Sequence, residues 1–291
     1  MSPIDAIILG LVEGITEYLP VSSTGHLIIT ADLLGLDKDP ALKDAVDSFN
    51  VIIQGGAILA VLGLYWPRVL QMIKGLLGKD PAGLRMAINI IVAFLPAAVI
   101  GLLIHKHVKH YLFSPGPVLA ALFLGGIWML WLDRKKTTRA AATEPEPAVT
   151  LETMTPRHAL LIGLFQCVAM WPGTSRSMMT IAGGVTIGLR PRDAAEFSFL
   201  LGLPTLGAAC LYDLFKNLSH AQKTGEPNLF HQLGVLPVIL GIAVATVAAA
   251  LAVRWLVGFL NRHGLGVFGW YRVALTLVLG GLIATGVVTM N

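Results

Sequence analysis

Charge is what this sequence has least of. Only 13% of its 291 residues are charged, against roughly 25% in an average soluble domain. Apolar residues make up 55% of the chain, and its mean hydropathy is +0.73. That imbalance excludes a disordered chain, a basic nucleic-acid-binding domain and an ordinary water-soluble enzyme. Cysteine is nearly absent: Cys167 and Cys210 lie in apolar stretches, where a thiol acts as a small hydrophobe. Two such residues make neither a disulfide framework nor a zinc site. The apolar stretch from Ile4 to Leu19 lacks a basic start and contains Glu13 and Glu17, so no secretory signal is expected there. What remains is a chain built for a bilayer, with no nucleic-acid partner. Its net charge of +4 and pI near 9.1 are then explained by basic residues in cytoplasmic loops.

Ten apolar segments are present. Six are candidates to cross a membrane, which takes about 20 helical residues: Phe49–Trp66, Met86–Ile104, Val118–Leu132, Phe197–Phe215, Leu233–Val253 and Val267–Val288. The other four are too short or too polar and fall into two pairs, Ile4–Leu19 with Leu27–Leu36 and Ala159–Trp171 with Met178–Leu189. Each pair is interrupted by a proline and a hydroxyl-rich stretch, Pro20-Val-Ser-Ser-Thr-Gly-His26 and Pro172-Gly-Thr-Ser-Arg-Ser177. Such interrupted pairs predict re-entrant hairpins, since non-helical backbone survives in a membrane only where protein or a watery cavity surrounds it.

The two halves also repeat weakly. Pro20-Val-Ser-Ser-Thr matches Pro172-Gly-Thr-Ser-Arg, and Leu122-Phe-Leu-Gly-Gly-Ile127 matches Leu277-Val-Leu-Gly-Gly-Leu282. Each half is one hairpin plus three crossings, an odd number, so the second half enters the membrane with opposite orientation. The expected fold is an all-α polytopic membrane protein with six transmembrane helices and two re-entrant hairpins in an inverted-topology repeat. Its expected parts are a first repeat over 1–133, a cytoplasmic linker over 134–157 containing Glu144-Pro-Glu-Pro147, and a second repeat over 158–291. One set of loops holds thirteen of the 21 Lys and Arg residues and the opposite set six, with Arg176 and Arg272 inside apolar segments. The richer set belongs in the cytoplasm, which places both termini outside.

Glu13 and Glu17, at i and i+4, share one face of a short helix. Intramembrane carboxylates are costly and by default functional. Two together repel, so either one is protonated or a cation sits between them. Carboxylate oxygens suit Mg²⁺ or Ca²⁺. The bland alternative is a helix end whose side chains reach water. Ser22-Ser23-Thr24-Gly25-His26 follows a proline and predicts a helix start, where free N–H groups bind anions. There His26 is a candidate general base or proton donor. Gly173-Thr174-Ser175-Arg176-Ser177, with Thr180 one turn on, predicts a second such start carrying a guanidinium matched to phosphate. The bland alternative for Arg176 is a structural partner for Glu13 or Glu17, which unpaired intramembrane charge makes the lesser reading. An inverted repeat would bring both tips together, and carboxylates, cation, Ser, His and Arg in one pocket suit phosphoryl transfer. Gln54, Gln166, Glu196 and Arg272 are weaker signals, expected to be helix-packing partners, with Glu196 and Arg272 in reserve as supports of the site.

These motifs carry a resemblance. Glu13-Gly-Ile-Thr-Glu17-Tyr-Leu-Pro-Val-Ser-Ser-Thr-Gly-His26 and Trp171-Pro-Gly-Thr-Ser-Arg-Ser177, with Phe165-Gln166-Cys167 and Ala195-Glu196-Phe-Ser-Phe199, resemble the undecaprenyl-diphosphate phosphatase family of bacterial inner membranes, the bacitracin-resistance type. The resemblance runs from the first helix to the last. It implies removal of the terminal phosphate from undecaprenyl diphosphate, a polyprenyl diphosphate lipid, which recycles the carrier of cell-wall precursors. It also implies a divalent cation and a site open to the periplasm, and it leaves room for a homodimer. By position, Glu13 and Glu17 would bind metal or act as acid and base, Ser23 would be the nucleophile with His26 an alternative or proton donor, and Arg176 would clamp the diphosphate. Ser22, Thr24, Gly173, Thr174, Ser175, Ser177 and Thr180 would line the site.

Two other classes compete. A secondary transporter or lipid flippase shares the inverted repeat with broken helices, but a paired Glu beside Ser, His and Arg exceeds what binding requires. An intramembrane serine protease needs only a Ser–His pair and would leave Glu13, Glu17 and Arg176 idle. The acid-phosphatase type of lipid phosphatase is echoed only superficially, because no His follows Arg176 at a usable spacing before His220.

Overall fold

The computed structural model describes residues 1–36, 40–112, 114–140 and 149–285. They form twelve helices and no strand. In chain order these are α1 (Pro3–Thr16), α2 (Ser23–Leu33), α3 (Pro40–Leu64), α4 (Trp66–Leu76), α5 (Pro81–Leu112), α6 (Pro115–Ala140), α7 (Pro156–Val168), α8 (Arg176–Thr186), α9 (Pro191–Thr224), α10 (Leu229–Leu233), α11 (Val235–His263) and α12 (Gly266–Ala284). Six of them begin on proline, whose fixed φ suits the first helical turn and whose missing N–H costs nothing there. Ser2 and Thr155 add side-chain caps to α1 and α7.

Among the described residues, six helices are long and apolar enough to cross a membrane, and each overlaps one predicted span: Leu42–Leu64, Pro81–Ile104, Pro115–Arg134, Pro191–Thr224, Val235–His263 and Gly266–Ala284. The first five run longer than the predicted apolar runs because charged and polar residues continue the helix beyond the hydrocarbon-compatible part. The expected span to Val288 passes outside the described residues, as does Glu144-Pro-Glu-Pro147. Helix α4 is unpredicted. Its 11 residues interleave Arg68, Gln71 and Lys74 with Leu70, Ile73 and Leu76, an amphipathic pattern too short to register as a span.

The linker expected over 134–157 differs at both ends. Helix α6 carries on to Ala140, and after the undescribed stretch Val149, Leu151 and Met154 are buried against the core. Asn89 Nδ2 donates to the Met154 carbonyl at 2.9 Å and Arg85 to that of Glu152 at 2.6 Å. Three apolar residues at close spacing are enough to dock this segment against α5.

The short pairs are helical hairpins, α1 with α2 and α7 with α8. Neither packs mainly within its own half of the chain. Helix α1 lies along α11, and α7 lies along α5. Helices α3 and α9 pack against each other, as do α6 and α12. This exchange brings the two hairpin turns toward one place. Close approach at the α1–α11 seam requires glycine: a carbon added at Gly14 would lie 2.5 Å from the Ala245 carbonyl oxygen and 2.6 Å from Ala248 Cβ. Gly163 of α7 meets Ala93 of α5 in the same way, at 2.5 Å. Small-residue contacts of this kind hold membrane helices together where no water drives association.

Gly14→Ala should therefore cost about 1–3 kcal/mol by overpacking, seen as a lower unfolding midpoint in detergent. Gly63→Ala, with nothing within 4 Å of the added carbon, should leave the midpoint unchanged or raise it.

Candidate active site

Helix α1 ends at Thr16, and Glu17 is its C-terminal cap, its N–H bonded to the Glu13 carbonyl at 2.9 Å. Pro20, which has no N–H to continue the ladder, follows in the turn. The chain re-enters a helix at Ser23 through Ser22, whose φ is +74°. The second hairpin repeats this geometry. Gly173 has φ +92°, Ser175 has φ +73°, and α8 begins at Arg176. Ser22 and Ser175 are the only non-glycine residues with positive φ among those described. Such backbone costs about 1–3 kcal/mol and persists only where its surroundings enforce it.

The two turns meet around Glu17, a residue 6% exposed. Ser23 Oγ donates to Glu17 Oε2 at 2.6 Å, and Arg176 Nη2 donates to Glu17 Oε1 at 2.9 Å. Arg176 Nη1 donates to the Ser198 carbonyl at 3.0 Å, while its Nε has no acceptor. The guanidinium lies over the Tyr18 ring, 5.3 Å from its centroid, in cation–π contact. Gly202 makes room on the other side, since a carbon there would come within 3.0 Å of Arg176 Nη1. One carboxylate thus touches a hydroxyl from the first hairpin and a cation from the second.

A cavity of about 130 Å³ opens over this group, lined by Glu17, Ser22, Ser23, Thr24, Gln54, Ala169, Pro172, Gly173, Ser175, Arg176 and Leu206. Its polar groups come from both turns and, in Gln54, from α3, while Ala169, Pro172 and Leu206 are apolar wall. Of the residues predicted from sequence, Glu17, Ser22, Ser23, Thr24, Gly173, Ser175 and Arg176 line it. The rest do not. Thr174 donates to the carbonyls of Trp171 and Val168. Ser177 donates to the Leu19 carbonyl at 2.8 Å and so ties the hairpins together. Thr180 shares a 2.6 Å hydrogen bond with Ser198.

His26 is also away from the cavity. Its Nδ1 is 2.8 Å from the Ser22 carbonyl, which can only accept, so Nδ1 carries the proton. Its Nε2 is 2.6 Å from the Tyr271 hydroxyl. Both ring nitrogens are engaged, Nδ1 with backbone and Nε2 with a side-chain hydroxyl. At α2 Ser22 makes no side-chain capping bond, and the Ser23 hydroxyl turns to Glu17. At α8 the Ser175 hydroxyl does cap, accepting from Met178 N at 3.3 Å.

Glu13 is fully buried one turn before Glu17, and neither of its oxygens receives a hydrogen bond from a donor. Its polar interaction is with the Glu17 carboxyl. Buried polar atoms without partners are rare, and each calls for a physical explanation. The described residues hold no group of three or more His, Cys, Asp or Glu that could cage a metal. The donor set fits a different kind of ion, one that takes one or two carboxylates and completes its shell with water and phosphate, as Mg²⁺ does.

Sequence reasoning put Glu196 in reserve, and the structure takes it elsewhere. Glu196 receives Arg68 Nε at 2.8 Å, in a pair that joins α4 to α9. Tyr18, Ser198 and Gly202 were missed, because tertiary contacts to Arg176 tie them to the site and no spacing in the sequence signals those. Gln54 was a weak signal and lies in the cavity wall.

Six candidate membrane spans among the described residues, and a hydroxyl, carboxylate and guanidinium gathered at one polar cavity, define a multi-pass membrane protein with an enzyme-like site. The chain belongs to the bacitracin resistance protein BacA family, whose model matches residues 6–278. It is 44% identical over 271 residues to an undecaprenyl-diphosphatase of Sorangium cellulosum, covering 93% of this chain and 83% of that one. It is 45% identical over 289 residues to undecaprenyl-diphosphatase 2 of Rhodospirillum rubrum, covering 99% and 97%. An undecaprenyl-diphosphatase of Deinococcus deserti is 42% identical over 286 residues, covering 98% and 96%.

Removing one member of the buried Glu17–Arg176 pair strands the other. Arg176→Met should destabilise the protein by about 3–5 kcal/mol. Glu17→Gln in the same chain should recover most of that loss, measured as unfolding midpoints across the double-mutant cycle.

Proposed function

We propose that this protein is an undecaprenyl-diphosphatase, hydrolysing undecaprenyl diphosphate to undecaprenyl phosphate and inorganic phosphate and so recycling the lipid carrier of cell-wall synthesis. Family membership and the relatives' activity support the reaction. The observation that carries the site is the 2.6 Å hydrogen bond from Ser23 to Glu17, with Arg176 on the other carboxylate oxygen.

The terminal phosphate enters the cavity and competes with Glu17 for Arg176, whose Nε is free to join. The forked guanidinium matches phosphate oxygens better than a lysine would. Ser23 Oγ attacks the terminal phosphorus. Its proton passes to Glu17, already its hydrogen-bond acceptor. The bond between that phosphorus and the bridging oxygen breaks, and its electron pair leaves with undecaprenyl phosphate. Water then releases the phosphate from Ser23, with Glu17 returning the proton. Ser22, Thr24, Gly173 and Ser175 present hydroxyls and backbone at the cavity wall. The prenyl tail leaves along the apolar side marked by Leu206 and Ala169. A Mg²⁺ or Ca²⁺ held by Glu13 and Glu17 would supply further neutralisation of phosphate charge. His26 acts through the backbone of Ser22 and is not assigned a proton-transfer step.

In this reading the hairpins are re-entrant and the halves, 1–133 and 158–291, form an inverted repeat joined by a cytoplasmic linker. The matching serine conformations and the exchanged packing of α1 on α11 and α7 on α5 support it. The membrane is the bacterial inner membrane, and the site faces the periplasm. A transporter could share the packing. It would have no use for a serine hydroxyl poised on a carboxylate.

Phosphate release from a C55 prenyl diphosphate by purified protein tests the reaction. Glu17→Ala should lower kcat by about 10²–10⁴-fold, the range for losing a positioned acid or base. Arg176→Ala should lower it by about 10³-fold or more. No release from folded wild-type protein with Mg²⁺ or Ca²⁺ would refute the reading. Mg²⁺ should raise the wild-type unfolding midpoint and leave that of Glu13→Gln unmoved. An equal rise in both would remove the cation from Glu13.

A further inference from the structure

Arg272 is fully buried in α12, and no acidic residue is among its contacts. It donates to four carbonyls instead: Leu122 at 3.3 Å and Ala121 at 3.1 Å on α6, Pro20 at 3.4 Å, and Gly173 at 2.8 Å. A buried cation held only by carbonyls is an expensive way to join two helices. Two of its four acceptors, moreover, belong to neither helix. Pro20 and Gly173 each stand two residues ahead of a strained serine, Ser22 and Ser175, in the two turns that line the cavity.

Its neighbour Tyr271 reaches the same place by another route. The Tyr271 hydroxyl is 2.6 Å from His26 Nε2, and His26 Nδ1 holds the Ser22 carbonyl at 2.8 Å. The two rings lie nearly parallel, with centroids 5.8 Å apart and planes 6° apart. Ser22 is therefore gripped on both sides, at the carbonyl of Pro20 by Arg272 and at its own carbonyl through His26 by Tyr271. Backbone at positive φ in a residue with a side chain needs such external restraint. Gly125 on α6 makes room for the guanidinium: a carbon there would come within 2.5 Å of Arg272 Nη2 and 3.0 Å of Met178 Sδ.

We propose that Tyr271 and Arg272 are positioning residues that clamp the two hairpin turns in the strained conformation presenting Ser23 and Arg176 to one phosphate. The clamp touches no substrate and acts through the backbone. The proposal rests on the phosphatase reading for its kinetic consequence, although the restraint itself is independent of it.

Full-length protein in detergent would be assayed for phosphate release as wild type, Tyr271→Phe, Arg272→Lys, Gly125→Ala and the pair Arg272→Lys with Gly125→Ala. Gly116→Ala, with nothing near the added carbon, is the control and keeps wild-type turnover. Displacement of a reacting group by an ångström costs about 10²-fold. Arg272→Lys and Gly125→Ala should each lower kcat to that order, with KM little changed. Together they should cost no more than the worse of the two, because both act on one guanidinium. Tyr271→Phe should lower kcat less, with KM again unmoved. Nitroxide labels at Thr24 and Val168, with Cys167 and Cys210 replaced by Ser, read the turns without turnover. The wild-type distance distribution should be narrow and that of Gly125→Ala broad. Wild-type kcat in both Arg272→Lys and Gly125→Ala, a loss confined to KM, or fully additive losses would overturn the clamp. So would label distances unchanged by Gly125→Ala. If Arg272→Lys does not fold, Gly125→Ala and Tyr271→Phe decide. Wild type that releases no phosphate refutes the phosphatase reading, and the label distances then decide the clamp alone.

Discussion

The structure depends on how it satisfies one buried carboxylate, Glu17, with hydrogen-bond donors. A buried carboxylate must be matched by donors, and its two here come from opposite ends of the sequence: Ser23 six residues on and Arg176 at a separation of 159. Neither hairpin could satisfy Glu17 alone. The two turns must meet, and the exchanged packing of α1 on α11 and α7 on α5 is what makes them meet. Glycines at those seams let the backbones close to the distance that the side chains at the tips require.

The same constraint explains why so much of the polar inventory is spent on support. Ser177, Thr180, His26 and Arg272 all bond to backbone or to another supporting group outside the cavity wall. A site built on turns is imprecise unless a surrounding shell fixes it. Here two serines sit in conformations that the chain would relax if released. Glu13 stands apart from this economy. Among the described residues, its buried oxygens receive no hydrogen bond from any of the protein's N–H or hydroxyl donors.

Much of this was legible in the sequence because membrane chemistry makes polar residues conspicuous. Six spans followed from apolar runs, and the two hairpins from runs too short to cross, each broken by proline and hydroxyls. Glu17, Ser23 and Arg176 stood out as charge or hydroxyl where neither is cheap. Other features were hidden for physical reasons. Which side of a helix start a hydroxyl faces depends on a local φ, so Ser177 and Thr180 looked like cavity wall and are struts. For His26, composition cannot show that both ring nitrogens are engaged, by the Ser22 carbonyl and the Tyr271 hydroxyl. Glu196 was drawn away by Arg68, on a helix the apolar pattern did not reveal. Tyr18 and Gly202 matter only through the distance to a guanidinium, which no linear motif encodes.

The most direct measurement is a structure of the protein with orthovanadate, which mimics the phosphoryl group in transfer. Vanadium bonded to Ser23 Oγ, with Arg176 turned from Glu17 to the vanadate oxygens and Glu17 still within reach of the Ser23 oxygen, is the predicted result. Vanadate bound without contact to Ser23 and Arg176, or seated at His26, would contradict it.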